Sequence, residues 1–290
     1  MNSNLSTTIQ ELSSPESYNR VYHEPNHGMP MPSVEAIKEM VTLLREIILP
    51  GYFGVDSINE EVIQYHTGVN VEKLYDMLSE QIKRGLCFDC NMSFVEKTRC
   101  EGCERKARNI AGAFIQKLPE IRRMLSTDIQ AAYNGDPAAR SIGEVIFCYP
   151  TVKVLLNYRA AHALVKLGVP LLPRMISELA HSETGIDIHP EAQIGEYFCI
   201  DHGTGVVIGA TSIIGNNVKL YQGVTLGAKN FPLDDEGNPI KGIARHPIVG
   251  DNVIIYANAT ILGRITIGEG AVIGGNMWIT HDVEPGAKAV

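Results

Sequence analysis

Three short segments gather ionisable residues at spacings that could support acid–base chemistry: Asp187-Ile188-His189-Pro190, Asp201-His202-Gly203-Thr204-Gly205 and Arg245-His246-Pro247. Asp187 and Asp201 lie 14 residues apart, and Asp187 and His202 lie 15 apart. That separation is close to one coil of about 18 residues in a β-solenoid, so Asp187 and His202 can stand on successive coils. A carboxylate beside an imidazole fixes its tautomer and stabilises its protonated form, as a general base requires. Corner residues chosen for turn propensity give the same residue types singly. Asp-His and Arg-His together beside a long loop favour chemistry.

A second constellation is Cys87-Phe88-Asp89-Cys90 with Cys100-Glu101-Gly102-Cys103. Paired C-x2-C knuckles suit a structural zinc–thiolate site, in which all four ligand positions are filled. The nine-residue spacer is shorter than that of the usual ribbon pattern. Two readings stay open at Cys87, Cys90, Cys100 and Cys103: a structural zinc, or reduced thiols packed as small hydrophobes. Cys148 and Cys199 read as buried thiols, with a reactive thiol near His202 left open at Cys199.

The elements that must position these groups follow from periodicity. Large aliphatic residues recur every six positions at Val249, Ile255, Ile261, Ile267, Ile273 and Ile279. An earlier register runs Ile188, Ile194, Ile200, slips by two, and resumes at Ile208, Ile214, Leu220 and Leu226. A helix repeats every 3.6 residues and a strand every two. A period of six fits a solenoid in which each hexad forms one flat face and a corner, its aliphatic residue stacked inward. Between Gly227 and His246 the pattern is broken by a stretch with two prolines and three acids, which is expected to project as a functional loop.

Upstream the pattern is helical. Val34, Ile37, Met40, Val41, Leu44, Ile47 and Ile48 mark one face before Pro50-Gly51, and a second helix is expected from Asn70 to Gly85. Further helix is expected over 105–118, 119–133 and 151–167. The organisation read from the sequence is a flexible arm over 1–30, a helical domain over 31–183, and an α+β chain completed by a β-helix over 184–290 with its inserted loop at about 228–246.

Net charge is −8 and there is no Lys/Arg-rich run, which argues against nucleic acid as a partner. No stretch is apolar for the length of a membrane span. A polar start and six cysteines without a secretory pattern make the cytoplasm the expected compartment.

The segment from Gly185 to Gly227, with Asp-Ile-His-Pro, Ile-Asp-His-Gly-Thr-Gly and Gly-Val-Thr-Leu-Gly, followed by Arg-His-Pro, resembles serine O-acetyltransferase. The likeness extends upstream to Asp136-Pro137-Ala138-Ala139 and covers roughly residues 120 to 285. It implies a left-handed parallel β-helix that transfers acetyl from acetyl-CoA to the hydroxyl of L-serine, the first step of cysteine biosynthesis. By that resemblance His202 is the general base and Asp187 the carboxylate that orients it. Asp136 and Asp201 match acids that contact the substrate serine, and Arg245 and His246 match residues that receive its carboxylate. Gly227, Ala228, Ala257 and Gly275 match contacts to acetyl-CoA along a cleft between subunits.

The resemblance implies no catalytic metal. It implies a homotrimer, or two trimers paired into a hexamer. The Pro/Asp-containing insertion replaces a shorter glycine-rich loop of many members, which affects the exact CoA contacts. The family's tail ending in Ile is not matched, so a complex with O-acetylserine sulfhydrylase is not expected. Two other readings share the fold: an acetyltransferase for a sugar or antibiotic hydroxyl, and a β-helical carbonic anhydrase using His189, His202 and His246 on one zinc between subunits. Paired acids opposite an Arg-His suit an amino-acid zwitterion better than a sugar. Carboxylate neighbours suit poorly an open zinc site.

Overall fold

A computed structural model describes residues 3–24, 28–55, 59–89 and 101–289. Nine helices form among these residues before the first strand: α1 (Ser3–Leu12), α2 (Pro15–Tyr18), α3 (Val34–Ile48), α4 (Ile63–Phe88), α5 (Glu101–Ile115), α6 (Leu118–Gly135), α7 (Ile142–Cys148), α8 (Pro150–Lys166) and α9 (Leu172–Thr184). The Ser33 hydroxyl accepts from Ala36 N–H and caps α3, whose Ile37, Met40, Leu44 and Ile47 are buried. Gly185, at φ 70°, ends α9 in the left-handed conformation expected after a helix.

Three helical features differ from the sequence reading. The segment expected to be a flexible arm carries α1 and α2, with Leu5, Ile9 and Leu12 exposed along one side of α1. Its Ser/Asn/Pro content masked a stripe at i, i+4 and i+7. Helix α4 starts at Ile63 rather than near Asn70, because its first turns are exposed and carry no apolar period. Helices α7 and α9 lie outside the expected helical spans, although Leu172, Ile176 and Ala180 bury one face of α9.

The hexads form β1 (Asp187–Ile188), β2 (Gln193–Ile194), β3 (Cys199–Ile200), β4 (Val207–Ile208), β5 (Ile213–Ile214), β6 (Lys219–Leu220), β7 (Thr225–Gly227), β8 (Ile248–Val249), β9 (Ile254–Ile255), β10 (Thr260–Leu262), β11 (Thr266–Ile267), β12 (Val272–Ile273), β13 (Trp278–Ile279) and β14 (Lys288–Ala289). They assemble three parallel sheets ordered β1-β4-β7-β10-β13, β2-β5-β8-β11 and β3-β6-β9-β12-β14. Each coil visits the three sheets in turn, giving a three-sided left-handed β-helix. The stacked aliphatic positions line its interior, with Ile255, Ile261, Ile267 and Ile273 all at 0% exposure. Asn217, Asn252, Asn258 and Asn276 occupy corners at φ of 55–60°, a region in which asparagine is among the most tolerant side chains.

The helical part is fixed to the first coil by one face of α8. Tyr158 Oη donates to Ala192 O at 2.6 Å, and His162 Nδ1 lies 2.8 Å from Pro190 O. Between them Arg159 makes a bidentate pair with buried Asp128 of α6, at 2.6 and 2.7 Å, and also donates to Gly195 O. Breaking such a pair on one side leaves a buried charge and costs about 3–5 kcal/mol. This joint sets where α6 ends, and therefore where Asp136 lies. No helix among the described residues is long and apolar enough to cross a membrane.

Candidate active site

The prism has three edges, and two of them carry the ionisable residues. The first runs between the β3–β6–β9–β12 face and the β1–β4–β7–β10 face. Here the register explains the slip seen in the hexads. Asp187 pairs with Val207, a step of 20 residues, whereas Val207 pairs with Thr225, a step of 18. The two additional residues fall in the corner after β3, where His202 adopts φ 58° and Gly203 φ 91°. A Cβ at Gly203 would lie 2.5 Å from Ile186 Cδ1, so this turn needs glycine there. The expanded corner leaves the His202 side chain 73% exposed and pointing off the edge.

Acids converge on the same edge. Asp201 Oδ1 lies 3.9 Å from His202 Nε2, and Asp201 Oδ2 lies 3.1 Å from Lys219 Nζ. Lys219 also donates to Gly135 O at 2.7 Å, beside Asp136. Asp136 Oδ2 accepts from Tyr149 Oη, and its Oδ1 accepts from Ala138 N–H at 2.8 Å. The Tyr149 hydrogen bond and then the Ala138 N–H hold the Asp136 carboxyl below its usual range, and the charges of Lys219 and His202 act in the same direction. The same hydrogen bond pushes the Tyr149 phenol up to about 12. Burial opposes the charge of Lys219, but hydrogen bonds with Tyr221 and Asp201 outweigh it and raise its pKa.

The second edge lies between the β1–β4–β7–β10 face and the β2–β5–β8–β11 face. The inserted loop leaves the prism here, between β7 and β8, as a small hairpin in which Asp234 Oδ1 accepts from Glu236 and Asn238 N–H. It returns at Arg245. Thr211 Oγ1 accepts from the N–H groups of Arg245 and His246 at 2.9 and 3.1 Å. Its hydroxyl stands 2.8 Å from His246 Nδ1, which also accepts from Thr211 N–H. Nδ1 is therefore an acceptor, and the proton of neutral His246 sits on Nε2. Burial, then the neighbouring Arg245 charge, pushes the His246 pKa down to about 4. Arg264 donates to His246 O and Thr211 O and fixes the corner. Arg245 Nε is buried with no hydrogen-bond acceptor among the described residues.

The residues singled out in the sequence divide between these edges. Asp187 and His202 share the first edge on neighbouring coils, but no hydrogen bond or ion pair joins them among the described residues. The extra two residues carry His202 outward. Asp187 instead lies with Glu178 and His181 of α9, the three offering ligand atoms within 4.8 Å of one another. His189 and His246 sit on the second edge and His202 on the first, so a single chain does not gather the three histidines on one metal. Ala257 and Gly275 stack on the His202 edge, where a Cβ at Gly275 would lie 3.2 Å from Ala257 O. Gly227 and Ala228 lie at the start of the inserted loop, on the Arg245 edge.

Cys199 is buried, and burial raises its thiol to about 12, which removes the reactive-thiol reading there. Cys148, expected to be buried, is exposed, because the turn between α7 and α8 faces outward. Cys87 lies buried on α4 and Cys103 half-buried on α5, while Cys90 and Cys100 fall outside the described residues. Tyr149, Lys219 and Thr211 were missed. Lys219 had a legible signal: a lysine directly before an inward-facing hexad leucine. Tyr149 and Thr211 had none.

A model of bacterial transferase hexapeptide repeats matches residues 246–281. A plasmid-encoded serine acetyltransferase of Synechococcus elongatus is 48% identical over 258 residues, which cover 89% of this chain and 81% of the relative. The serine acetyltransferase of Bacillus subtilis is 47% identical over 161 residues, 56% of this chain and 70% of the relative. Among solved structures, Entamoeba histolytica serine acetyltransferase 1 in complex with L-cysteine has a TM-score of 0.74 at 37% identity, covering 89% of this chain and 87% of that one. Soybean serine acetyltransferase complexed with serine has a TM-score of 0.55 at 29% identity, covering 89% and 96%. Fold and sequence agree over most of both chains, and this chain belongs to the serine acetyltransferase family, an acyltransferase.

Proposed function

We propose that the protein transfers the acetyl group of acetyl-CoA to the hydroxyl of L-serine with His202 as general base, and that the site forms between neighbouring copies of the chain. The observation that carries this reading is the separation of charge. Asp136 and Asp201 line one edge of the prism. Arg245, with an unpartnered buried Nε–H, and His246, with its proton on Nε2, line another. A zwitterionic amino acid needs both ends served. Two different edges of one prism cannot close on one small molecule, whereas the first edge of one copy can face the second edge of the next. A homotrimer satisfies this for every copy, and two trimers can pair into a hexamer.

In this arrangement the serine ammonium lies between Asp136 and Asp201, and its carboxylate on Arg245 and the His246 Nε2–H. His202 takes the hydroxyl proton as the oxygen attacks the thioester carbonyl. The new C–O bond forms, the tetrahedral adduct collapses with breakage of the C–S bond, and the imidazolium returns the proton to the departing thiolate. No covalent enzyme intermediate is needed. Asp187 shares the His202 edge on the neighbouring coil, and in this reading it orients the imidazole once the site is assembled. Ala257 and Gly275 offer a bare surface for the pantetheine arm along the same edge, and Gly227 with Ala228 border it from the facing copy. L-cysteine presents the same ammonium and carboxylate, so it is expected to compete with serine.

The reading is tested by thiol release from acetyl-CoA across L-serine, L-threonine, L-homoserine and a sugar panel. Saturable turnover with serine, inhibited competitively by cysteine, is the expected result. Preferential acetylation of a sugar hydroxyl would overturn it.

A further inference from the structure

A cavity of about 280 Å³ opens where α3, α7, α8 and α9 meet, lined among others by Arg45, Phe53, Cys148, Tyr149, Lys153 and Glu183. A smaller one of about 160 Å³ adjoins it, shares Arg45, Lys153 and Glu183 as a common wall, and adds Lys38 and Asn157. Together they approach the size of small-molecule sites, roughly 300–1,000 Å³. Arg45, Lys153 and Lys38 face a single acid, Glu183, so this cleft is cationic in a chain of net charge −8.

The polar groups at this wall are not fully satisfied by the protein. Arg45 Nε is buried with no acceptor, and Asn157 Oδ1 is buried with no donor, among the described residues. Unpaired buried groups of this kind are costly and ask for a partner. The Arg45 guanidinium stacks 4.3 Å from the Phe53 ring centroid, which fixes it in place. Lys153 is paired with Glu183. Burial and then the Arg45 charge nonetheless lower its pKa, as expected for two cations on one wall. Phe53 and Leu156 give the remaining wall an apolar character.

We infer that this cavity is a binding site for a small organic anion, a carboxylate or phosphate ester with an apolar body, whose occupancy is felt at the catalytic edge through Tyr149. The anionic group meets Arg45 and Lys153, and the apolar body lies on Phe53. Tyr149 lines the cavity and donates its hydroxyl to Asp136 Oδ2. The coupling half of the inference rests on the placement of serine at Asp136, whereas the binding half does not.

Cys148, exposed in the cavity wall, serves as a reporter. Its alkylation by iodoacetamide, followed on the Cys148 peptide by mass spectrometry in the full-length protein, should slow about tenfold when phenyl phosphate is present at roughly nine times its Kd. Benzyl alcohol, which lacks the charge, should not protect, and inorganic phosphate should protect only weakly. Lys153→Gln and Arg45→Met should abolish protection. If Arg45→Met does not fold, Lys153→Gln alone decides. Unchanged alkylation in the wild type, or protection that survives Lys153→Gln, would overturn the site. With binding established, phenyl phosphate should shift the KM for serine in the wild type but not in Tyr149→Phe. Binding without that shift overturns the coupling, and an enzyme inactive on serine but protected at Cys148 separates this inference from the proposed function.

Discussion

Lys219 Nζ stands 3.1 Å from Asp201 Oδ2 and 2.7 Å from the carbonyl of Gly135, so one lysine ties together the chain segments that carry Asp201 and Asp136. In the proposed placement of serine Asp136 and Asp201 share one ammonium, and Lys219 offsets the repulsion between the two carboxylates. Its charge contributes to the lowered pKa of Asp136. A depressed carboxyl stays ionised to lower pH, so removing the cation makes protonation begin at higher pH. Lys219→Met should therefore move the acid limb of kcat/KM for serine upward, with the KM for acetyl-CoA unchanged. Lys219→Arg should restore the limb. A profile that does not move would remove Lys219 from the positioning of the acids.

His202→Ala should lower kcat by about 10²–10⁴, the range of general acid–base catalysis, with little loss of CoA binding. In the proposed mechanism Asp187 orients rather than transfers the proton, so Asp187→Asn should cost less and shift the acid limb. Near-wild-type turnover in His202→Ala would exclude it from proton transfer, and an unchanged profile in Asp187→Asn would break the pairing.

Arg245→Ala should raise the KM for serine and leave that for acetyl-CoA nearly unchanged. A charge-assisted hydrogen bond is worth roughly 1.5–3 kcal/mol, which corresponds to about 10- to 150-fold in KM where KM follows affinity. A rise confined to acetyl-CoA would place Arg245 at the nucleotide end of the cleft.

His246 should titrate with a midpoint near pH 4, read from its imidazole resonances. The folded state resists a proton that the unfolded chain accepts from its ordinary value of about 6.5 downward. The neutral ring is therefore fully tolerated above pH 6.5, and stability is lost as pH falls from there toward 4. His246→Gln should lose less stability over that window. A midpoint near 6.5 would show that burial and Arg245 do not keep the ring neutral between pH 6.5 and 4.

Cys87, Cys90, Cys100 and Cys103 are settled by elemental analysis of untagged protein from zinc-replete growth. A structural site predicts about one zinc per chain, filled by four thiolates, so that its removal loosens residues 80–110 while His202 chemistry survives in the remaining assembly. Clearly substoichiometric zinc leaves reduced thiols packed among the helices.

The six-residue period was sufficient to specify the three-sided prism, because an inward aliphatic every sixth residue buries only if each hexad makes one face. Ile188 through Ile279 are buried as that pattern requires. The slip after Ile200 was also visible as a number, but only the folded chain shows what it does. Two additional residues expand one corner, where His202 adopts φ 58°, and no hydrogen bond or ion pair joins it to Asp187 among the described residues. Which edge each residue occupies depends on counting corners around the prism, so the division of Asp136, Asp201 and His202 from Arg245 and His246 emerged from the tertiary arrangement. The same holds for Tyr149 and Lys219. Their contacts cross 13 and 84 residues of sequence, to Asp136 and Gly135, and local spacing carries no trace of pairings made by the docking of a helical domain on a solenoid.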